Sequence, residues 1–116
     1  MVEDNWLDSN FNEEEVIESL IVDVDGYEGP LDILLTLARS QKVDVRKISV
    51  LMLAEQYLKF IKEAKELRIE LAADYLVMAA WLAFLKSRLL LPADPSDEGP
   101  SGEELAAYLA FQLERL

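Results

Sequence analysis

A nearly all-apolar stretch from Leu71 to Leu91 constrains this chain more than any other feature, because it predicts a helix with almost no polar face. Its few interruptions are Asp74, Lys86, Ser87 and Arg88. Each exposed large apolar side chain forgoes about 1.5 to 3 kcal/mol of burial. Such a helix must be covered on nearly all sides, so what covers it is the question that bears on function.

Part of this stretch follows the heptad-like spacing with which one helix lies along another. Its members recur in alternating steps of four and three: Leu71, Tyr75, Met78, Leu82, Leu85 and Leu89. Further large apolar residues lie off that line: Leu76, Val77, Phe84, Leu90 and Leu91. The predicted helix therefore has more apolar surface than a single seam uses.

The chain of 116 residues has room for one small domain with tails. A membrane span is excluded, because the uninterrupted apolar run from Tyr75 to Leu85 is much shorter than the roughly 20 residues a span needs. The first residues lack the basic and apolar regions of a secretory signal. Cysteine is absent, so no disulfide can form and a reducing compartment is compatible.

The net charge of −12 comes mostly from one end of the chain. Residues 1–28 hold ten carboxylates and no Lys or Arg, whereas residues 29–92 hold seven acidic and ten basic residues. We expect residues 1–19 to form a solvated, largely disordered acidic head. The folded domain, assigned to residues 20–92, is not acidic by composition.

Helices dominate the predicted domain, and an all-α bundle of three main helices is the expected fold class. Alternating apolar and acidic residues at 20–25 indicate a short edge strand before it. Pro30 begins a first helix that ends near Ser40. Ser49 caps a second helix, 50–67, which forms an antiparallel hairpin with the third, 71–91.

The composition of residues 93–102 is that of a mobile linker rich in Pro, Gly and Ser. Beyond it, residues 103–116 read as the start of a fourth helix capped by Ser101 or Gly102. This apolar pattern stops without a helix end, which indicates a fragment of a longer chain.

The sequence contains no residue pattern typical of a catalytic or cofactor-binding site. Histidine, cysteine and a glycine-rich phosphate loop are absent, and the acidic pairs lack the spacing of a calcium loop. A basic stripe formed by Lys59, Lys62, Lys65 and Arg68 is interleaved with glutamates, which favours a salt-bridged solvated face over nucleic-acid binding. We expect no enzyme, no cofactor, no metal and no direct contact with nucleic acid.

Several segments together resemble the amino-terminal domain of the segregation and condensation protein A family, the bacterial kleisins. They are Gly26-Tyr27-Glu28-Gly29-Pro30-Leu31-Asp32-Ile33-Leu34-Leu35, Ala54-Glu55-Gln56-Tyr57-Leu58, Tyr75-Leu76-Val77-Met78-Ala79-Ala80 and Lys86-Ser87-Arg88-Leu89-Leu90-Leu91-Pro92. The match runs from about Val24 to Pro92 in the family's order and spacing. The acidic head lies outside it.

The resemblance implies a non-enzymatic, cytoplasmic and nucleoid-associated subunit of a condensin-like complex in chromosome condensation and segregation. In that family the amino-terminal domain packs on the coiled-coil neck of a structural-maintenance-of-chromosomes (SMC) ATPase. The following segment, which would start near Glu103, recruits segregation and condensation protein B. A carboxy-terminal winged-helix domain that grips the other ATPase head has no counterpart in these 116 residues.

A coiled-coil neck and two kleisin helices would together make a four-helix bundle. The expected neck-binding residues lie on the second and third helices: Tyr57, Ile61, Tyr75, Met78, Leu82, Leu85 and Leu89. Two alternatives stay open. The same line can be the domain's own core, in which case replacing Met78 and Leu82 with Glu abolishes folding, or the surplus surface can pair with a second copy of the chain.

Overall fold

Five α-helices form the molecule in the residues that the computed structural model describes, which are 12–41, 49–92, 96 and 98–115. The all-α prediction is confirmed. The helices are α1 (Asn12–Val22), α2 (Pro30–Arg39), α3 (Val50–Glu66), α4 (Ala73–Leu90) and α5 (Gly102–Glu114). A single 3-10 turn, Val24–Gly26, lies between α1 and α2.

The antiparallel hairpin of α3 and α4 is the largest pairing in the fold. Near the start of α3, Glu55 lies 3.6 Å from Lys86 near the end of α4. Near the end of α3, the Phe60 ring lies 6.5 Å from the ring of Tyr75, in the first turn of α4. The two helices therefore run in opposite directions, as predicted.

Both ends of α3 are capped by specific hydrogen bonds. The Ser49 hydroxyl accepts from the Met52 backbone N–H at 3.1 Å, which confirms the predicted cap. At the other end Arg68 takes a left-handed conformation, with φ of 61°. The backbone N–H of Ile69 donates to the Ala64 carbonyl, the Schellman arrangement that ends a helix and turns the chain.

Helix α2 begins at Pro30, whose fixed backbone angle suits a first helical position. Its buried side is apolar and consists of Ile33, Leu34, Leu37 and Ala38. This side packs on α3 and α4, and it places the start of α2 beside the start of α4.

The predictions of a disordered head up to residue 19 and of an edge strand at 20–25 are wrong where the structure describes these residues. Residues 12–22 form α1, and Val24 lies in the 3-10 turn. Ile17, Leu20, Ile21 and Val24 recur at helical spacing and are buried in the common core. Burial of this face stabilises the helix, and the glutamates in its first turn favour it as well. Residues 1–11 lie outside the described part.

Helix α5 returns along α4 and joins the same core through Leu109 and Leu113. Its start lies against the end of α4, since a methyl group on Gly102 would lie 2.8 Å from the Arg88 carbonyl carbon. Ser101 forms a capping box with Glu104, which confirms the predicted cap. The last residue of the expected linker, Gly102, therefore packs against α4. Residues 93–95 and 97 of the linker lie outside the described part.

Candidate partner-binding site

The seven residues predicted to bind a partner lie on the inner sides of α3 and α4. Five of them are at most 6% exposed and belong to the central core: Tyr57, Ile61, Tyr75, Leu82 and Leu85. The other two, Met78 and Leu89, are partly buried and pack against that core. The predicted seam is therefore covered by this chain's own helices, and contact of these residues with a partner stays a prediction.

An aromatic cluster joins α3 to α4 on this inner side. The Tyr57 and Phe60 rings lie 5.8 Å apart, and Phe60 in turn packs on Tyr75. The Tyr57 hydroxyl donates to the Tyr75 main-chain carbonyl at 2.9 Å. Burial, reinforced by nearby negative charge, raises the pKa of Tyr57 far above its usual value. These side chains hold the hairpin together.

The opposite side of α4 faces solvent along its whole length and carries a second heptad-like line. Its residues recur in alternating steps of three and four, and all are exposed: Val77, Ala80, Phe84, Ser87 and Leu91. Leu76, Ala83 and Leu90 flank this line and are also exposed. We call these eight residues the outer face of α4.

Large and small side chains alternate on the outer face. Val77 is 68%, Phe84 51% and Leu90 57% exposed. Between them Ala80, Ala83 and Ser87 leave shallow positions along the helix, into which side chains of another helix can fit. Contiguous apolar surface of this kind on a protein marks a site of association.

Cations border the carboxyl-terminal part of the outer face. The Arg88 guanidinium lies 5.6 Å from the centre of the Phe84 ring, and its Nη2 donates to the Pro100 carbonyl at 2.9 Å. Lys86 pairs with Glu55 of α3. The face is thus apolar along its centre, with charged groups held at its edges by partners of this chain.

One residue of the basic stripe on α3, Lys59, pairs with another helix and not with glutamates of the stripe alone. Lys59 contacts Glu14 and lies 3.9 Å from Glu13, and both carboxylates belong to α1. These charge-assisted contacts raise the pKa of Lys59. The acidic start of α1 therefore contacts a cation of α3.

None of the described helices is long and apolar enough to cross a membrane. Among the same residues, no three Asp or Glu side chains are grouped so that they could hold a metal ion.

A signal for the outer face was present in the sequence, because its large residues lie off the first heptad-like line. Two interleaved lines of the same spacing run along one helix, and periodicity alone does not say which of them points inward. That choice depends on α5, whose Leu109 and Leu113 complete the core.

Comparison with known proteins identifies one family. Residues 37–110 match the family model described as Segregation and condensation protein ScpA. Segregation and condensation protein A of Xylella fastidiosa is 47% identical over 97 residues, which cover 84% of this chain and 32% of the relative. The Coxiella burnetii protein of the same name is also 47% identical, over 84% of this chain and 36% of the relative.

A third relative gives a similar match. Segregation and condensation protein A of Bacillus cytotoxicus is 46% identical over 81 residues, covering 70% of this chain and 33% of the relative. The chain spans about a third of the length of these curated relatives. No solved structure matches it. The family model and the relatives together show that the chain belongs to the segregation and condensation protein A family.

Proposed function

We propose that this chain is a non-enzymatic adaptor that binds the coiled-coil neck of an SMC ATPase through the outer face of α4. The single observation that carries the proposal is the exposed heptad-like line from Val77 to Leu91. A coiled-coil neck offers helices with the same repeat, so the two surfaces can pack by knobs into holes.

The proposed contact lies on the outer side of α4, whereas the residues predicted from the sequence lie on its inner side. The inner line is already used by α3 and α5, and exposing it would cost the burial of Leu82 and Leu85. The outer face needs no such rearrangement, because Val77 and Phe84 are exposed in the free chain. Binding would add buried apolar area without opening the core.

The test compares two glutamate substitutions in binding to a purified headed neck of the cognate ATPase, measured by calorimetry. Phe84→Glu lies at the centre of the outer face, and Met52→Glu is the matched control on the exposed side of α3. We expect Phe84→Glu to weaken binding by about thirtyfold or more, the effect of losing about 2 kcal/mol at an interface centre. Met52→Glu should bind as the unaltered chain does.

Circular dichroism of both variants separates a lost interface from a lost fold. Both should keep the helicity and melting temperature of the unaltered chain, because both positions are about half exposed. Equal affinities for the two variants would contradict the proposal. A stable dimer seen by light scattering that does not change when neck is added would favour self-association through the same face.

Recruitment of segregation and condensation protein B through α5 is the second part of the proposed role. Tyr108 and Phe111 are 61% and 52% exposed on the side of α5 that faces away from the core. A pull-down with that protein should lose signal in a Phe111→Glu variant and keep it in Phe84→Glu. The reverse result would place this recruitment on the outer face of α4 and not on α5.

A further inference from the structure

A cleft lies where the start of α2, the first half of α4 and the second half of α5 meet, and it has a volume of about 870 Å³. Its wall is largely apolar: Leu31, Val77, Met78, Trp81, Tyr108 and Leu109. Leu31 and Tyr108 are exposed at its mouth, whereas Leu109 is buried at its floor. The space is large enough for one or two large side chains of another molecule.

The rim of this cleft is acidic. Glu28, Asp32 and Asp74 line it, and its lining residues include no Lys or Arg. The Asp74 carboxylate lies over the start of α2, since its Oδ2 is 3.8 Å from where a methyl group on Gly29 would be. Asp32 Oδ2 accepts from the Glu28 backbone N–H at 3.2 Å, which holds that carboxylate at the rim.

The rim carboxylates also affect the protonation of Tyr75. The pKa of Tyr75 is raised, first by burial and then by the negative charges of Asp74, Asp32 and Asp25. A phenolate there would face three carboxylates, so the neutral phenol is favoured. The same potential attracts a cation that approaches the mouth of the cleft.

We propose that this cleft is a docking site for a peptide segment of a protein partner, one that inserts an apolar side chain and places Lys or Arg against the rim. A cleft with apolar walls and an acidic rim favours such a segment, because an acidic or neutral segment would gain less binding free energy there. A second copy of this chain is the competing occupant, and the dependence of Trp81 emission on protein concentration tests for it. The cleft shares Val77 with the proposed neck contact and Tyr108 with the proposed binding surface on α5.

The test uses Trp81 as a reporter in a Trp6→Phe background, in which Trp81 is the only tryptophan. The probe is a synthetic amphipathic peptide of about 14 residues, with Leu and Phe on one face and Lys at both ends, in the helix-in-groove mode. A second peptide carries Glu in place of Lys. We expect saturable change in Trp81 emission with the Lys peptide, and at least tenfold weaker binding of the Glu peptide.

Matched charge variants separate the cleft from general attraction to an acidic protein. Glu28→Gln with Asp74→Asn removes two rim charges, and Glu66→Gln with Glu70→Gln removes two charges from exposed positions at and beyond the end of α3. The rim variant should weaken the Lys peptide by about five- to tenfold, given the usual strength of exposed ion pairs. The control variant should change it by less than about twofold.

Three results would overturn the proposal. They are equal loss in the two double variants, no saturable binding of the Lys peptide, and a change in Trp81 emission with protein concentration alone. The last would assign the cleft to a second copy of the chain. Neck binding measured on the rim variant should be unchanged, which keeps this test apart from that of the proposed function.

Discussion

The Tyr57 hydroxyl donates a hydrogen bond to the main-chain carbonyl of Tyr75, with 2.9 Å between the two oxygens. This bond crosses from the middle of α3 to the first turn of α4, within the buried aromatic cluster. A helix whose sides are nearly all apolar has few polar groups with which to define its rotation and register. The bond supplies one such constraint, because a buried hydroxyl without a partner is costly.

Replacing Tyr57 with Phe should lower the free energy of unfolding by about 1 kcal/mol at neutral pH, the usual net value of one such hydrogen bond. The pKa of Tyr57 is raised in the folded chain, so its contribution is complete below about pH 10, the unfolded value. It is lost as the pH rises above that value. Urea unfolding between pH 7 and pH 11 should therefore show a steeper alkaline decline for the unaltered chain than for Tyr57→Phe. Parallel declines would contradict this prediction.

Much of the fold could be predicted from local signals. Pro30, Ser49 and Ser101 mark helix starts, and all three do so in the structure. The second helix was predicted over 50–67 and is observed as Val50–Glu66. Each of these signals acts through the backbone next to it, so no tertiary information is needed.

The parts that could not be predicted depend on distant contacts. Helix α1 contains the β-branched residues Val16, Ile17, Ile21 and Val22, and burial of Ile17 and Leu20 by other helices stabilises it. The inward side of α4 depends on where both α3 and α5 pack against it, and α5 begins where Gly102 lies close to Arg88. The helical spacing of Ile17, Leu20 and Ile21 is a local signal for α1, whereas the inward side of α4 has no signal within its own segment.

Arg68 occupies a left-handed conformation, with φ of 61°, where a Cβ atom is disfavoured. Arg68→Gly should therefore raise the melting temperature, with a gain of about 1 kcal/mol in the free energy of unfolding. Arg68→Ala is the control, because it removes the charge and keeps the Cβ. Calorimetric melting of the three chains checks this. A lower melting temperature for Arg68→Gly than for Arg68→Ala would show that the side chain matters more than the backbone.

Gly102 permits the closest approach between α5 and α4, since a methyl group on it would lie 2.8 to 2.9 Å from backbone atoms of Arg88 and Leu89. Gly102→Ala should destabilise the chain by about 1 to 3 kcal/mol, because backbone must shift to admit the methyl group. Gly26→Ala is the matched control, with no atom within 4 Å of the added methyl group. Hydrogen exchange should show the loss of protection concentrated in α5. Equal stability of the two variants would contradict the tight contact.

Leu20 and Val22 distinguish a folded α1 from a disordered acidic head. Leu20 is 1% exposed and Val22 is 79% exposed, although they are two positions apart. Leu20→Ala should cost about 2 to 5 kcal/mol of stability through loss of burial and a cavity. Val22→Ala should change it by less than about 0.5 kcal/mol. Denaturant unfolding of the two variants gives the comparison, and equally small effects would mean that α1 does not contribute to the core in solution.

The two sides of α4 should respond in opposite ways to truncation at Leu82 and Phe84. Leu82 is 0% exposed, so Leu82→Ala should lower the free energy of unfolding by about 2 to 5 kcal/mol. Phe84 is 51% exposed and lies on the outer face, so Phe84→Ala should change it by no more than about 0.5 kcal/mol. The order reverses for partner binding, in which the folded Leu82→Ala chain should keep its affinity for an SMC neck and Phe84→Ala should lose it. A stable Leu82→Ala chain that fails to bind would instead return the contact to the inner line.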